Sequence, residues 1–378
     1  MEKSEMLDNQ VDLGSLGWDE FFQKFFLPYS GRDLVPGRIA SEHRGKYLVL
    51  TGPGEQLSGT LSGKLRYQSN WRGDLPVAGD WVAMRQRHGD CTATIVGVLP
   101  RKSQFVRGAA GVKTEGQIIA ANIDTVFLVM ALNSDFNLRR IERYLVMASQ
   151  SGAQPAVVLS KSDLCSNPRH KTTQVAALTM GAPVHVVSVV NQTGLEELPF
   201  YVAPGKTVAM LGSSGVGKST LINYLAGKEV QKTQDVRVHD GRGKHTTTSR
   251  QLILLPGGGL VLDTPGMREL QLWDEPDLNK RPLPGTPPGI DQAFSDIASL
   301  ANQCYFRNCS HDGEPNCAIQ SAMASGADQA RFRSYQKLQK ELRYQERRRD
   351  KAAHTKEKTK WKKLCRMARE KAERKRGG

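Results

Sequence analysis

Residues Gly212-Ser213-Ser214-Gly215-Val216-Gly217-Lys218-Ser219-Thr220 match the phosphate-loop pattern G-x-x-x-x-G-K-[ST] at every fixed position. The loop works only between a buried strand and a helix, so it restricts the fold more than any other stretch. The flanks comply. Lys206–Leu211 is a short apolar run suited to a strand, and Leu221–Ala226 has helical spacing. Glycines let backbone N–H groups turn inward around phosphates, Lys218 reaches the β- and γ-phosphates, and the Ser219 hydroxyl can ligate Mg²⁺. An ordinary Gly/Ser turn opening a helix would not need both flanks.

Around this loop the text alternates buried strand and helix. Strands are expected at Ile123–Met130, Pro155–Leu159, Val184–Val187, Gln251–Leu255 and Gly259–Leu262, and helices at Leu138–Gln150 and near Lys171–Met180. That order predicts a parallel sheet with crossovers over residues 115–275. Upstream, residues 34–106 read as short β runs (Gly37–Ala40, Lys46–Leu50, Trp81–Met84, Ala93–Leu99) between Gly/Pro/Asp turns. They fit a small barrel of the oligonucleotide-binding (OB) kind, or a purely structural barrel. Residues 1–33 form an N-terminal extension in which Leu16–Phe26 is amphipathic and should dock on a neighbouring domain. Pro100–Gly116 reads as a linker and 275–289 as a proline-rich connector. Residues 290–378 form a last, helical domain.

The base and the metal ions are read elsewhere. Asp263-Thr264-Pro265-Gly266 matches D-x-x-G, in which the Asp supports the Mg²⁺ water shell and the Gly266 N–H senses the γ-phosphate. Between it and the loop, Gly241–Thr248 is a polar segment with switch character, where Thr247 and Thr248 are candidates and Thr248 completes the Mg²⁺ coordination. Guanine is ordinarily selected by N-K-x-D; here Ser160-Lys161-Ser162-Asp163 follows a strand, and Ser188-Val189 ends the next one in the place of a second base-contacting element. These base-reading pieces precede the phosphate-reading ones, a circular permutation in which both halves meet at the carboxyl edge of one sheet. Cys304-x4-Cys309-x-His311-x5-Cys317 supplies three thiolates and an imidazole, enough for a closed, structural Zn²⁺ site. Three other cysteines are scattered, which argues against a disulfide framework.

Charge points to a polyanionic partner. Arg331–Gly378 holds 20 Lys/Arg against 6 Asp/Glu, nearly all of the net charge of +15. Such a tail binds nucleic acid through phosphate contacts, or is a solvated helix without a partner. No apolar run approaches the roughly 18 residues of a membrane span, and Met1–Gly17 lacks a secretory core, so a cytoplasmic, monomeric protein without membrane contact is expected.

The chain resembles the circularly permuted GTPases of the bacterial RsgA (YjeQ/YloQ) family, which act in assembly of the small ribosomal subunit. The stretches that carry the likeness, besides the motifs above, are Asp74–Val82, Asn137–Leu145 and Gly241–Thr248, and it extends over about residues 16–350. It implies a multidomain α/β protein: an OB-fold β-barrel, a circularly permuted P-loop GTPase domain and a C-terminal zinc-binding helical domain whose metal ligands match Cys304, Cys309, His311 and Cys317. It further implies GTP hydrolysis to GDP with slow intrinsic and ribosome-stimulated turnover, late in small-subunit maturation and in contact with its rRNA. The second reading is an RNA-binding protein for which GTP is only a structural or switch ligand.

Two departures from the family, at Ser160 and in the connector 275–289, stand out, and Met267 differs from many GTPases at large. Ser160 replaces the usual Asn, which on this reading loses an amide bond to the base and a tether to the phosphate loop. The residue after Gly266 is Met267, whose thioether cannot orient an attacking water. His245, beside the switch threonines, is the candidate for that task, unless it is an exposed loop histidine with no role. The connector 275–289 is also longer than usual.

Overall fold

The computed structural model describes residues 12–52, 54–69, 71–87, 90–108, 116–231, 251–263, 290, 293–307, 309, 311, 313–326 and 328–344. The first helix, α1 (Glu20–Phe26), is capped by Asp19, whose carboxylate accepts from the Phe21 and Phe22 N–H groups. Its apolar side buries Phe22 and Phe26. Trp18 joins them, stacking on Phe22 and meeting the fully buried Trp81 edge-on at 4.8 Å. The aromatic stripe therefore docks on the barrel, as its amphipathic spacing requires.

The barrel is closed by five strands: β1 (Val35–His43), β2 (Lys46–Gly52), β3 (Glu55–Leu61), β4 (Trp81–Gln86) and β5 (Thr92–Val98), in the order β1-β2-β3-β5-β4. All pairs are antiparallel except β3 with β5. Ile39, Val49, Leu57, Val82, Met84 and Ile95 fill its interior. Two elements here were not among the sequence expectations. Strand β3 reads Glu-Gln-Leu-Ser-Gly-Thr-Leu and buries only Leu57 and Gly59, too few apolar positions to signal a strand. Helix α2 (Gly63–Gln68) is a single exposed insert capped by Ser62.

Pro100–Gly116 corrects the reading of a linker. Gln104–Gly108 (β6) pairs antiparallel with Gly116–Ala121 (β7), burying Phe105, Ile118 and Ile119. The hairpin is fastened where Ser103 Oγ both accepts from Ile123 N (2.7 Å) and donates to Ile123 O (2.6 Å).

A six-stranded sheet follows: β8 (Thr125–Ala131), β9 (Gln154–Ser160), β10 (Val184–Val186), β11 (Thr207–Leu211), β12 (Gln251–Leu254) and β13 (Leu260–Asp263), in the order β10-β9-β8-β11-β13-β12. Only β12 runs antiparallel. Both faces of the central strands are covered, so β8, β9 and β11 are apolar over most of their length. Val126, Leu128 and Met130 of β8 face α3 (Leu138–Ser151) and the C-terminal helices, while Phe127 and Val129 share the opposite core with Leu221 and Ile222 of α5 (Lys218–Ala226). Helix α4 (Pro168–Ala176), capped by Asn167, crosses from β9 to β10. The C-terminal part contains α6 (Ser295–Ala301), α7 (Ala318–Ala324) and a helical run over 329–344.

Barrel and sheet share Arg38, which is wholly buried. Its guanidinium donates to the carbonyls of Leu16, Gly79 (3.4 Å) and Asn122 (2.9 Å) and to Thr207 Oγ1 (2.8 Å). Burial pulls its pKa down to about 10, against the pull of Asp124 and Asp80. No helix among the described residues is long and apolar enough to cross a membrane.

A candidate nucleotide site and a cysteine–histidine cluster

The sequence motifs converge at the carboxyl edge of the six-stranded sheet. Strand β11 delivers the phosphate loop, its neighbour β8 runs into Asn133–Asn137, β9 ends at Ser160, β10 ends just before Ser188, and β13 ends at Asp263. Gly212 must lack a side chain because a Cβ there would lie 2.4 Å from the Val129 carbonyl oxygen, and Gly217 opens α5 at φ +97°. Ser214 and Gly215 form the exposed tip, Val216 is buried, and Ser219 and Thr220 are half-buried in the first turn of α5. Lys218 arches back so that Nζ donates to the carbonyls of Gly212 (2.7 Å) and Ser213 (2.5 Å). A glycine-rich loop at the start of a helix, with an ammonium folded over it, suits an anion.

The Ser160–Asp163 segment meets this loop directly. Ser160 Oγ donates to the Val216 carbonyl at 2.6 Å, so the expectation that a serine here forfeits the tether to the phosphate loop is overturned. The hydroxyl is short, but β9 and β11 flank β8 closely enough for it to reach. Lys161 takes a left-handed φ of 56°, which turns the chain so that Ser162 N donates to Val187 O (3.1 Å) and Asp163 is exposed. Ser188 Oγ then donates to Asp163 Oδ1 at 2.5 Å while accepting from Asn191 N. Asp163 Oδ2 has no partner among the described residues. Val189 next to it is half-buried against the α5-side core. On the other flank, Asp263 Oδ2 accepts from Gln231 Nε2 at 2.8 Å. His245, Thr247, Thr248, Gly266 and Met267 lie outside the described residues, as do the connector 275–289 and the tail beyond 344.

The model of the RsgA GTPase family matches residues 98–273. The small ribosomal subunit biogenesis GTPase RsgA of Opitutus terrae is 44% identical over 363 residues, covering 94% of this chain and 96% of that protein. This chain belongs to the RsgA GTPases. RsgA 2 of Lactiplantibacillus plantarum is 47% identical over 312 residues, 82% of this chain and 84% of that one. Among solved structures, YjeQ from Thermotoga maritima superimposes with a TM-score of 0.59 at 27% identity, over 82% of this chain and 98% of that one. YloQ, described as a circularly permuted GTPase, does so with 0.56 at 23% identity over 83% and 97% and shares the fold. As an RsgA GTPase the chain is a GTP-hydrolysing enzyme, and guanine nucleotide with Mg²⁺ are its implied ligands. Ser219 lies in the first turn of α5, and Asp263 ends β13, the strand beside β11.

Two polar residues to which the sequence assigned no role at the phosphate loop lie against it: Asp135, and Arg140 from the Asn137–Leu145 stretch. Asp135, after β8, accepts from Ser213 Oγ at 2.6 Å, and Arg140, in the first turn of α3, donates to both. Their sequence separation from the loop gives no sign of this; only the adjacency of β8 and β11 does.

Some distance along the chain, Cys304, Cys309, His311 and Cys317 bring their donor atoms within 4.8 Å of one another. His311 Nδ1 lies 3.6 Å from Cys304 Sγ and 3.5 Å from Cys317 Sγ, and the two sulfurs are 3.9 Å apart. With Zn–S about 2.3 Å and Zn–N about 2.0–2.1 Å, a tetrahedral site of three sulfurs and one nitrogen has edges of about 3.5–3.8 Å, so the cluster fits zinc. Cys317 sits at the N-cap of α7, and the His311 ring meets Phe332 edge-on.

Proposed function

We propose that this GTPase binds the small ribosomal subunit late in its assembly and that GTP hydrolysis, accelerated by the subunit, drives its departure. The relatives' names supply the subunit. The observation that carries the reading here is the Ser188–Asp163 pair, tied through Ser160 to the phosphate loop: one arrangement offers a carboxylate to the guanine N1–H and amine and a lysine to its phosphates. Lys161, Ser162, Ser188 and Val189 line the base side, and residues 212–220 hold the phosphates. Ser219, Thr248 and Asp263 would hold Mg²⁺, which would supply positive charge to neutralise the phosphates. The Gly266 N–H reports the terminal phosphate, and His245 positions water once RNA orders the switch.

Contact with rRNA falls to exposed aromatic and basic side chains, since bases stack on any π-face and phosphates attract cations. Tyr67 is 90% exposed beside Lys64 and Arg66 on α2, and Tyr305 is 74% exposed beside Arg307 next to the cysteine cluster. Zn²⁺ held by Cys304, Cys309, His311 and Cys317 would be structural, fixing that surface. The protein acts as a cytoplasmic monomer.

The test is GTP hydrolysis by the full chain with and without purified small or large subunits. Slow basal turnover, stimulation by small subunits alone and loss of both in Ser219→Ala are expected. No response to small subunits favours the second reading, an RNA-binding protein for which GTP is a ligand. Unchanged stimulation in His245→Ala would remove that histidine from the mechanism.

A further inference from the structure

Helix α3 sends a second cation to the phosphate loop. Arg140 Nη1 donates to Ser213 Oγ at 3.0 Å and to Asp135 Oδ2 at 2.7 Å, and Ser213 donates to the same carboxylate oxygen. Lys218 meanwhile donates to the Ser213 carbonyl. Both cations thus address one residue, Lys218 through its backbone and Arg140 through its side chain. In a loop of this type the lysine serves the β- and γ-phosphates. Lys218 therefore marks the end of the loop that faces the terminal phosphate, and Arg140 stands at that end.

Asp135 explains how a guanidinium can be kept there. Burial pushes its carboxyl upward, but hydrogen bonds from Arg140 and Ser213 and the charges of Arg140 and Lys218 outweigh it and hold the group below the usual carboxylate range. The carboxylate is an anionic partner for Arg140 at the edge of an anion site, and a phosphate oxygen can replace it. Arg140 is anchored for this by Asn137, which caps α3 by accepting from the Arg140 N–H at 3.1 Å.

We propose that Arg140 is a further catalytic residue: in the GTP complex its guanidinium turns from Asp135 to the terminal phosphate and neutralises the charge that develops during phosphoryl transfer. In that step a water oxygen bonds to phosphorus as the bond to the β–γ bridging oxygen breaks. The electron pair leaves with GDP and the water proton ends on the released phosphate. Arg140 donates hydrogen bonds throughout and exchanges no proton. Met267 stands in place of a water-orienting glutamine, and charge stabilisation by Arg140 is separate from the water-positioning role proposed for His245. An arginine supplied this way contributes on the order of 10³–10⁵-fold in related chemistry. Arg140 must first leave Asp135, so a smaller effect is expected.

The inference rests on residues 212–220 being the GTP site but not on any ribosomal partner, so the experiment contains no ribosomal particles. Single-turnover hydrolysis at saturating GTP and equilibrium binding of GDP are measured for the full chain, Arg140→Ala and Arg140→Lys. Arg140→Ala should slow hydrolysis at least about tenfold while GDP affinity stays within about threefold. Arg140→Lys should fold in any case and hydrolyse at an intermediate rate, because an ammonium lacks the planar fork. Either variant hydrolysing at the parental rate overturns the proposal. So does a loss of GTP and GDP affinity by one common factor with the rate at saturation intact, which is what mere support of Ser213 would give. Failure of the unaltered chain to bind GDP would instead refute the reading of the loop.

Discussion

A single hydroxyl joins the two halves of the nucleotide site. Ser160 Oγ reaches the Val216 carbonyl at 2.6 Å, with Met130 O at 3.4 Å as a weaker second contact. A net hydrogen bond is worth about 1 kcal/mol. Ser160→Ala should therefore weaken GDP and GTP alike by about fivefold, read by fluorescent-nucleotide titration. In the proposed function Asp163 acts on the base alone. Its bonds to guanine are charge-assisted, each worth about 1.5–3 kcal/mol, so Asp163→Ala should cost guanine nucleotides about 100-fold and leave adenine nucleotides as they were. Equal losses for both bases in a competition assay would show that Asp163 does not read the purine.

Elements meet at buried polar joints. Arg38 on β1 ties the Leu16 turn, the Gly79 turn, Asn122 before β8 and Thr207 at the start of the loop-bearing β11. Gly79 allows the approach: at φ +92°, a Cβ would fall 2.0 Å from the Ala121 carbonyl oxygen. Removing the guanidinium strands several buried acceptors, each costing about 1–3 kcal/mol. Arg38→Ala should accordingly lower stability by at least about 3 kcal/mol, measured by denaturant unfolding, and the loss should appear in the barrel and in the sheet together. This joint was invisible in the chain, where Arg38 reads as an ordinary charge in a β run. The hairpin β6–β7 was hidden for a related reason: its Arg- and Gly-containing text resembles a linker until each strand finds the other as its partner.

Across the whole molecule, α3 faces two ways. Arg140 turns to the phosphate loop, while the neighbouring turn is bound to the C-terminal domain. Arg331 pairs with Asp296 (2.8 Å) and with the buried Glu142 (2.9 Å), Arg139 pairs with Glu142 and Asp328, and Arg143 grips both oxygens of Glu341 at 2.7 Å. For Asp296 and Asp328, burial is outweighed by arginine bonds and charges, which hold both carboxyls below their ordinary value. Depressed folded-state values mean the unfolded chain binds more protons, so the stabilisation is complete above the unfolded value near about 3.9 and is lost as pH falls through the folded ones. Glu142 has the opposite sign, since burial raises it, and it reduces the net loss. The expected outcome is a melting temperature that drops below about pH 4, with a shallower slope in Asp296→Asn. Removal of zinc belongs to this scale too. Chelation, or Cys309→Ser, should release about one equivalent of metal and loosen α6, α7 and the 329–344 run, seen as faster proteolysis there.

The chain alone was enough for local patterns: a phosphate loop between strand and helix, the Ser160–Asp163 segment placed ahead of it, three cysteines and a histidine within a short stretch and an alternating α/β text. Those patterns are legible because each depends on neighbours in sequence, through backbone turning, ligand spacing and apolar periodicity. Contacts between distant segments were decided only by folding. The parallel order of β8, β9 and β11 carried a short serine to Val216, set Asp135 and Arg140 beside Ser213, and made a buried arginine the joint between barrel and sheet. Side chains separated by 56, 73 or 169 positions met there, and no local pattern records which strands will lie side by side.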